Sequence, residues 1–290
     1  MKISKAIIFF SIAIALLASI YASIGLFWQD DGAPFTFTTV HGETVEMYGH
    51  GIYRNDAAFR APIFRGTDAI TLFVCVPALL IAAFLYGRGS LRGGILLTSM
   101  LFYFLYNSAS LAFGAAYNNL LLVYIACFSM SLFTFIMAFT SIDLHALVER
   151  TAPTLARRGI AIFLFIAGMS LLVWIMSIVT ALVQNSIPAQ LGPYTTEATY
   201  TLDLGIILPT AYLAGVLMWR RSPLGTLLAA IIITLNVSIG LVVASQSIMQ
   251  ALDGIFLTAG EYAAFVAPFV TLSLIAIGLV INIHRSIIEK

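Results

Sequence analysis

The chain has 290 residues, of which 61% are hydrophobic and 9% charged, with a formal net charge of +1. A soluble domain carries about 25% charged residues, so this chain has too few polar side chains to cover a core in water. A bilayer removes that need, provided helices satisfy the backbone, and the near-zero charge excludes an electrostatic footprint for nucleic acid.

Eight apolar runs approach the roughly 20 residues that a helical span requires, which predicts an all-α transmembrane bundle. The first covers 6–27, behind Lys2 and Lys5. It is longer than the apolar core of a secretory signal, about 7–15 residues, so a retained span is expected. The loop 28–67 follows. Its stretch Phe35-Thr36-Phe37-Thr38-Thr39-Val40 is aromatic and β-branched, His41-Gly42 supplies a turn, and Thr44 to Tyr48 reads as a returning strand. A small extracytoplasmic β-hairpin, inserted over about 34–50, is expected there.

The second run is 70–86, the third 95–116 and the fourth 120–140. A linker over 142–158 separates these from 160–183, 204–219 (begun near Thr201), 227–244 and 262–283. With the N-terminus inside, the cytoplasmic basic residues are Lys2, Lys5, Arg88, Arg92, Arg150, Arg157, Arg158, Arg220, Arg221, Arg285 and Lys290. The outside set is only Arg54, Arg60 and Arg65. That bias predicts both termini in the cytoplasm and a location in the cell membrane.

The two halves resemble each other. From Pro77 the chain reads PALLIAAFLYGRGSLRGGILL, and from Pro209 PTAYLAGVLMWRRSPLGTLLA. Without gaps Pro77 meets Pro209, Arg88 meets Arg220, Ser90 meets Ser222 and Gly93 meets Gly225. A parallel four-plus-four repeat is expected, with halves 1–141 and 159–290. Asp68 and Asp203 are expected at the outer starts of the second and sixth spans, as a candidate outer mouth. Pro77 and Pro209 each free a carbonyl one turn earlier, near Phe73 or Val74 and near Gly205 or Ile206.

Intramembrane polar groups are the default functional candidates. In the third span Tyr103, Tyr106, Asn107, Ser110 and Gly114 recur at helical spacing and share a face. Tyr124, Cys127, Ser131 and Thr134 do so in the fourth, Ser170, Trp174 and Ser177 in the fifth, and Asn236 and Gly240 in the seventh. These faces fit helix packing, or the lining of a central polar site built from Tyr103, Tyr106, Asn107, Ser110, Tyr124 and Asn236. Asn107 and Asn236 are expected to approach one central region. Cys75 and Cys127 read as buried, inert and at similar depth.

No ionisable residue is expected mid-span, which argues against an ion-coupled carrier and against intramembrane acid–base catalysis. The cluster His41, Glu43, Glu46, His50 and Asp56 has ligand chemistry without HExxH spacing, and no P-loop, dinucleotide fingerprint or GxSxG is present. No catalytic residue, metal or cofactor is expected. Asp143 and His145 read as the start of an interfacial helix.

Three segments, Gly49-His50-Gly51-Ile52-Tyr53-Arg54-Asn55-Asp56, Arg88 to Gly93 and Ala116 to Tyr124, resemble uncharacterised multi-pass membrane proteins of bacteria. The resemblance implies a membrane location and no particular activity. The leading functional expectation is a small-molecule-binding or permease-type bundle. A non-catalytic scaffold, sensor or accessory subunit comes second and an intramembrane enzyme third. The expected partners are membrane lipids, with a small-molecule ligand or a protein.

Overall fold

The computed structural model describes residues 3–188 and 191–289; Lys2 and Lys290, counted above among the inner basic residues, lie outside them. Eight of its helices are long and apolar enough to cross a membrane: Lys5–Phe27, Ala61–Gly87, Leu91–Gly114, Leu121–Ser141, Arg157–Val183, Ala198–Trp219, Pro223–Leu252 and Ala259–Ser286, here spans 1 to 8. Their length and composition are those of a multi-pass membrane protein.

The hairpin forms where alternation placed it. Strands β1 (Phe35–Thr38) and β2 (Thr44–Met47) pair antiparallel, Phe35 opposite Met47 and Thr38 opposite Thr44. Gly42 takes φ 83° in the turn, a conformation open to glycine without steric cost. The hairpin rests on the bundle through Met47 and Tyr48, which are buried. At the opposite end, Asp143 caps the short helix Leu144–Glu149 by accepting from the backbone N–H of His145 (2.9 Å) and Ala146 (3.2 Å).

Two boundaries differ from the apolar runs in a way that matters. Span 2 begins at Ala61, with Pro62 in a first turn that needs no N–H from it. Span 6 begins at Ala198, capped by Glu197. Asp68 is therefore seven residues into its helix, about 10 Å along the axis, and Asp203 five residues in. Neither caps a helix, and both are buried, at 0% and 7% exposure.

The prolines act through the turn that precedes them. Pro77 cannot donate to the carbonyl four residues back, and the chain responds by widening to a π-helical turn, Thr71–Cys75, closed by Val76 N–H on Thr71 O. Pro209 follows an equivalent turn, Asp203–Ile207, closed by Leu208 N–H on Asp203 O. A third turn of this kind, Tyr262–Val266, precedes Pro268 in span 8.

Spans 3 and 7 are the most buried of the eight and pack against each other. Span 3 also contacts spans 2 and 4, and span 7 contacts spans 6 and 8. Span 1 packs on spans 2 and 4, while span 5 packs on spans 6 and 8. The first helical stretch of span 2 crosses span 7, and that of span 6 crosses span 3. Close approach at these seams depends on small residues: a Cβ at Gly66 would meet Gln246 Cα at 2.5 Å, and one at Gly240 would meet Ser273 Cβ at 2.0 Å.

The end of the bundle opposite the hairpin is tied together by the C-terminal residues. The Glu289 carboxylate accepts from Ser90 Oγ (2.7 Å) and from Arg92 N–H (2.8 Å) at the start of span 3. Ser90 in turn accepts from Gly93 N–H at 2.9 Å. A carboxylate at a helix N-terminus is stabilised by the helix dipole.

Candidate functional site

Three polar assemblies stand out. The first surrounds Asp203. Tyr106 Oη–H donates to its Oδ1 at 2.8 Å, and Trp174 Nε1–H donates to its Oδ2 at 2.8 Å. Trp174 lies between Tyr200 and Phe265, with ring centroids 5.4 and 6.3 Å away. Beside the carboxylate is a cavity of about 40 Å³ whose lining includes Tyr106, Ser170, Asp203, Asn236 and Phe269. At roughly 10–15 Å³ per water it has room for about three. Asp203 has two neutral donors and no cationic partner among the described residues.

The second assembly is enclosed by spans 1 to 4. Tyr53 reaches down from the loop and donates to Asp68 Oδ2 at 2.7 Å; both residues are essentially fully buried. Gly25 makes this possible, since a Cβ there would sit 1.9 Å from Asp68 Oδ2. Deeper, Asn107 Nδ2 donates to Tyr21 Oη (3.0 Å) and Thr71 Oγ1 (3.3 Å), and Thr71 shares a 2.8 Å hydrogen bond with Tyr103. Tyr21 and Tyr124 meet edge to face, centroids 5.6 Å apart.

The third lies at the hairpin end. Arg60 forks onto both carboxylate oxygens of Glu197, joining the segment before span 2 to the start of span 6. Burial raises the Glu197 carboxyl, but Arg60 and Thr199 outweigh it and hold the group below its ordinary range. Breaking such a pair by removing one partner costs about 3–5 kcal/mol, because the survivor is a buried lone charge. Asp56, fully buried, accepts from Ala116 N–H and Tyr194 Oη–H, each at 2.8 Å. Burial dominates here and raises its carboxyl to about 6, with Ala116, Tyr194 and Arg60 pulling the other way. Arg65 contacts Asp253 at 3.2 Å and Tyr48 Oη at 2.9 Å, fastening span 2 and the hairpin to the end of span 7. A groove of about 480 Å³ opens here, walled by Phe35, Phe37, Phe113 and Tyr194, with Asn55 and Thr195 on its rim.

The expected central residues divide between two places. Tyr106 and Asn236 line the Asp203 cavity together. Tyr103 and Asn107 belong to the network around Thr71, and Tyr124 packs beside it. Asn107 and Asn236 therefore do not meet; Asn236 Nδ2 is turned onto the Ile232 carbonyl of its own helix at 3.0 Å. Ser110 is half-buried. Cys75 and Cys127 are buried free thiols, the former beside Tyr103 and Ser238, the latter beside Ser131 and Ser108. Asp68 and Asp203, expected at the outer starts of their spans, lie seven and five residues inside them. In the loop cluster Asp56 is buried and His50 is half-buried against the Tyr48 ring, centroids 3.8 Å apart, while His41, Glu43 and Glu46 stay exposed. Tyr53, Arg60 and Glu197 were not singled out as site residues: each lies in or beside a loop, where no periodicity marks a buried side chain.

Compared with protein-family models, curated proteins and solved structures, the chain matches none.

Proposed function

We propose that the protein is a small-solute permease of the cell membrane, built from two four-span halves with both termini in the cytoplasm. The basic residues favour this orientation, which makes the hairpin extracytoplasmic. The repeat reading is supported by matched details. The π-turns before Pro77 and Pro209 end at Cys75 and Ile207, 132 residues apart, and each lies 16 residues before the first residue of the next helix, Leu91 and Pro223, which follow Ser90 and Ser222. Gly89 and Arg221, also 132 apart, both take positive φ in the intervening turns.

The observation that carries the reading is the Asp203 cavity. It puts a carboxylate, a phenol, an amide and a hydroxyl around one small cavity at a helix break. Breaks of this kind at a repeat interface are where transporters bind solute. A cavity for about three waters is far below the roughly 300 Å³ of an ordinary ligand site. The arrangement is thus a closed one, clamped at the hairpin end by Arg60–Glu197 and Arg65–Asp253. Opening requires the halves to move about the seam of spans 3 and 7. Two acids within the spans remove the earlier objection to ion-coupled carriage.

The test uses liposomes containing the purified protein and loaded with an isotope-labelled extract of small cellular metabolites. Wild type should release a definite subset that protein-free liposomes retain, and Asp203→Asn should retain it. Equal retention by wild-type and protein-free liposomes would overturn the permease reading. A second reading, a ligand sensor, is favoured by the aromatic groove of about 480 Å³, whose size suits a small molecule without any passage.

A further inference from the structure

Among the described residues two buried polar atoms that flank Tyr53 have no hydrogen-bond partner within ordinary distance: Asp68 Oδ1 and Tyr124 Oη. Asp68 is 0% exposed and Tyr124 1%. The other carboxylate oxygen already accepts the only proton that Tyr53 can give. The groups that face Asp68 are Tyr21 from span 1, Tyr103 from span 3, Tyr124 from span 4 and Tyr53 from the loop, all phenols. The nearest cation is Arg65, on the same helix, and it is engaged with Tyr48 and Asp253.

An ionised carboxylate so placed would be a buried charge without compensation, which costs several kcal/mol even after relaxation. A bound cation removes the cost. A metal ion would need several oxygen ligands, and the phenols offer few free lone pairs beside one carboxylate. A proton needs a single acceptor. Placed on Oδ1, it also turns an orphaned acceptor into a donor inside the tyrosine cluster that holds the orphaned oxygen of Tyr124.

We propose that Asp68 is a proton-binding site of the bundle, taking up one proton on Oδ1 and presenting it to Tyr124, with Tyr53 fixing the opposite oxygen. The reaction is association of a proton with a carboxylate; no other bond changes and no oxidant or reductant takes part. Tyr124 meets the ring of Tyr21 edge to face, and from Tyr21 a hydrogen-bonded series runs through Asn107 and Thr71 to Tyr103. Assigning this proton as the coupling ion rests on the permease reading; the proton itself does not.

The experiment is infrared spectroscopy of the purified protein in lipid nanodiscs at neutral pH, in H2O and D2O, without any solute. Wild type should show the carbonyl stretch of a protonated carboxylic acid, shifted in D2O. Asp68→Asn, nearly isosteric, should lose the band, while Asp203→Asn should keep it. Tyr124→Phe should keep the band and move it to higher frequency, as a carboxylic acid does when its hydrogen bond is lost. Absence of the band in wild type, its persistence in Asp68→Asn, or an unmoved band in Tyr124→Phe would each overturn the proposal. If Asp68→Asn fails to fold, the Tyr124→Phe shift decides alone. A normal band in a protein that moves no metabolite would leave the proton site standing and remove only its coupling role.

Discussion

Thr71 and Asp203 each open a π-helical turn, and each is held by a tyrosine of the same helix: Tyr103 lies 2.8 Å from Thr71 Oγ1 and Tyr106 2.8 Å from Asp203 Oδ1. Span 3 thus reaches both helix breaks from the two edges of one face, through tyrosines three residues apart. The two bonds differ in kind, one joining neutral hydroxyls and the other a phenol and a carboxylate. A hydrogen bond to a charged group contributes about 1.5–3 kcal/mol, against about 1 for a neutral pair. Tyr106→Phe should therefore lower the melting temperature in detergent more than Tyr103→Phe. Equal losses would mean that Asp203 is not held as an ion.

The spans were legible because apolar runs of this length have few alternatives in a chain so poor in charge. Their polar ends were not. Arg65, Gly66, Thr67 and Asp68 interrupt the apolar run, so span 2 read as starting at residue 70. The helix continues through them because tertiary partners engage the three polar side chains: Gln246 Nε2 donates to Thr67 Oγ1 at 2.9 Å, Tyr53 binds one oxygen of Asp68 and Asp253 binds Arg65. Such partners lie far away in sequence, and no local pattern announces them. The break at Pro268 was missed for a simpler reason: the aligned segments containing Pro77 and Pro209 do not extend to it. The separation of Asn107 from Asn236 follows from rotation about each helix axis, which depth along the bilayer does not fix.

Asp56 gives a pH signature. Its carboxyl rises to about 6 in the fold, chiefly through burial, from an ordinary value near 3.8. The folded protein consequently binds a proton more readily than the unfolded chain between about pH 4 and 6. By linkage this contribution to stability is fully present below the ordinary value and is lost as pH rises through about 6. Wild type should gain thermal stability on going from pH 7 to pH 5 relative to Asp56→Asn, whose amide has no charge to lose. Parallel melting curves for the two proteins across this range would remove Asp56 as the source.

The orientation can be tested with single cysteines in a background lacking Cys75 and Cys127. Thr38 in β1 and Thr195 beside the groove are exposed at the hairpin end, and Thr154 is exposed at the opposite end. Cysteines at Thr38 and Thr195 should react with an impermeant thiol reagent on intact cells. One at Thr154 should react only after the membrane is opened. Labelling of Thr154 from outside, with Thr38 protected, would invert the topology and place the hairpin in the cytoplasm.

Gly240 and Gly278 separate packing from mere composition. Both are glycines inside long apolar helices, where alanine is the better helix former by about 1 kcal/mol. At Gly278 a Cβ would meet nothing within 4 Å, so Gly278→Ala should be neutral or slightly stabilising. At Gly240 the same methyl would lie 2.0 Å from Ser273 Cβ and 2.8 Å from the Phe269 carbonyl oxygen. Spans 7 and 8 would have to separate, and the 3.0 Å bond from Ser273 Oγ to the Val237 carbonyl would be strained or broken. Overpacking costs about 1–3 kcal/mol, which exceeds the gain in propensity. Gly240→Ala should therefore melt several degrees lower than Gly278→Ala. Since Phe269 also lines the Asp203 cavity, it should in addition reduce metabolite release in liposomes. Equal stability of the two variants would mean that spans 7 and 8 do not approach each other at this seam.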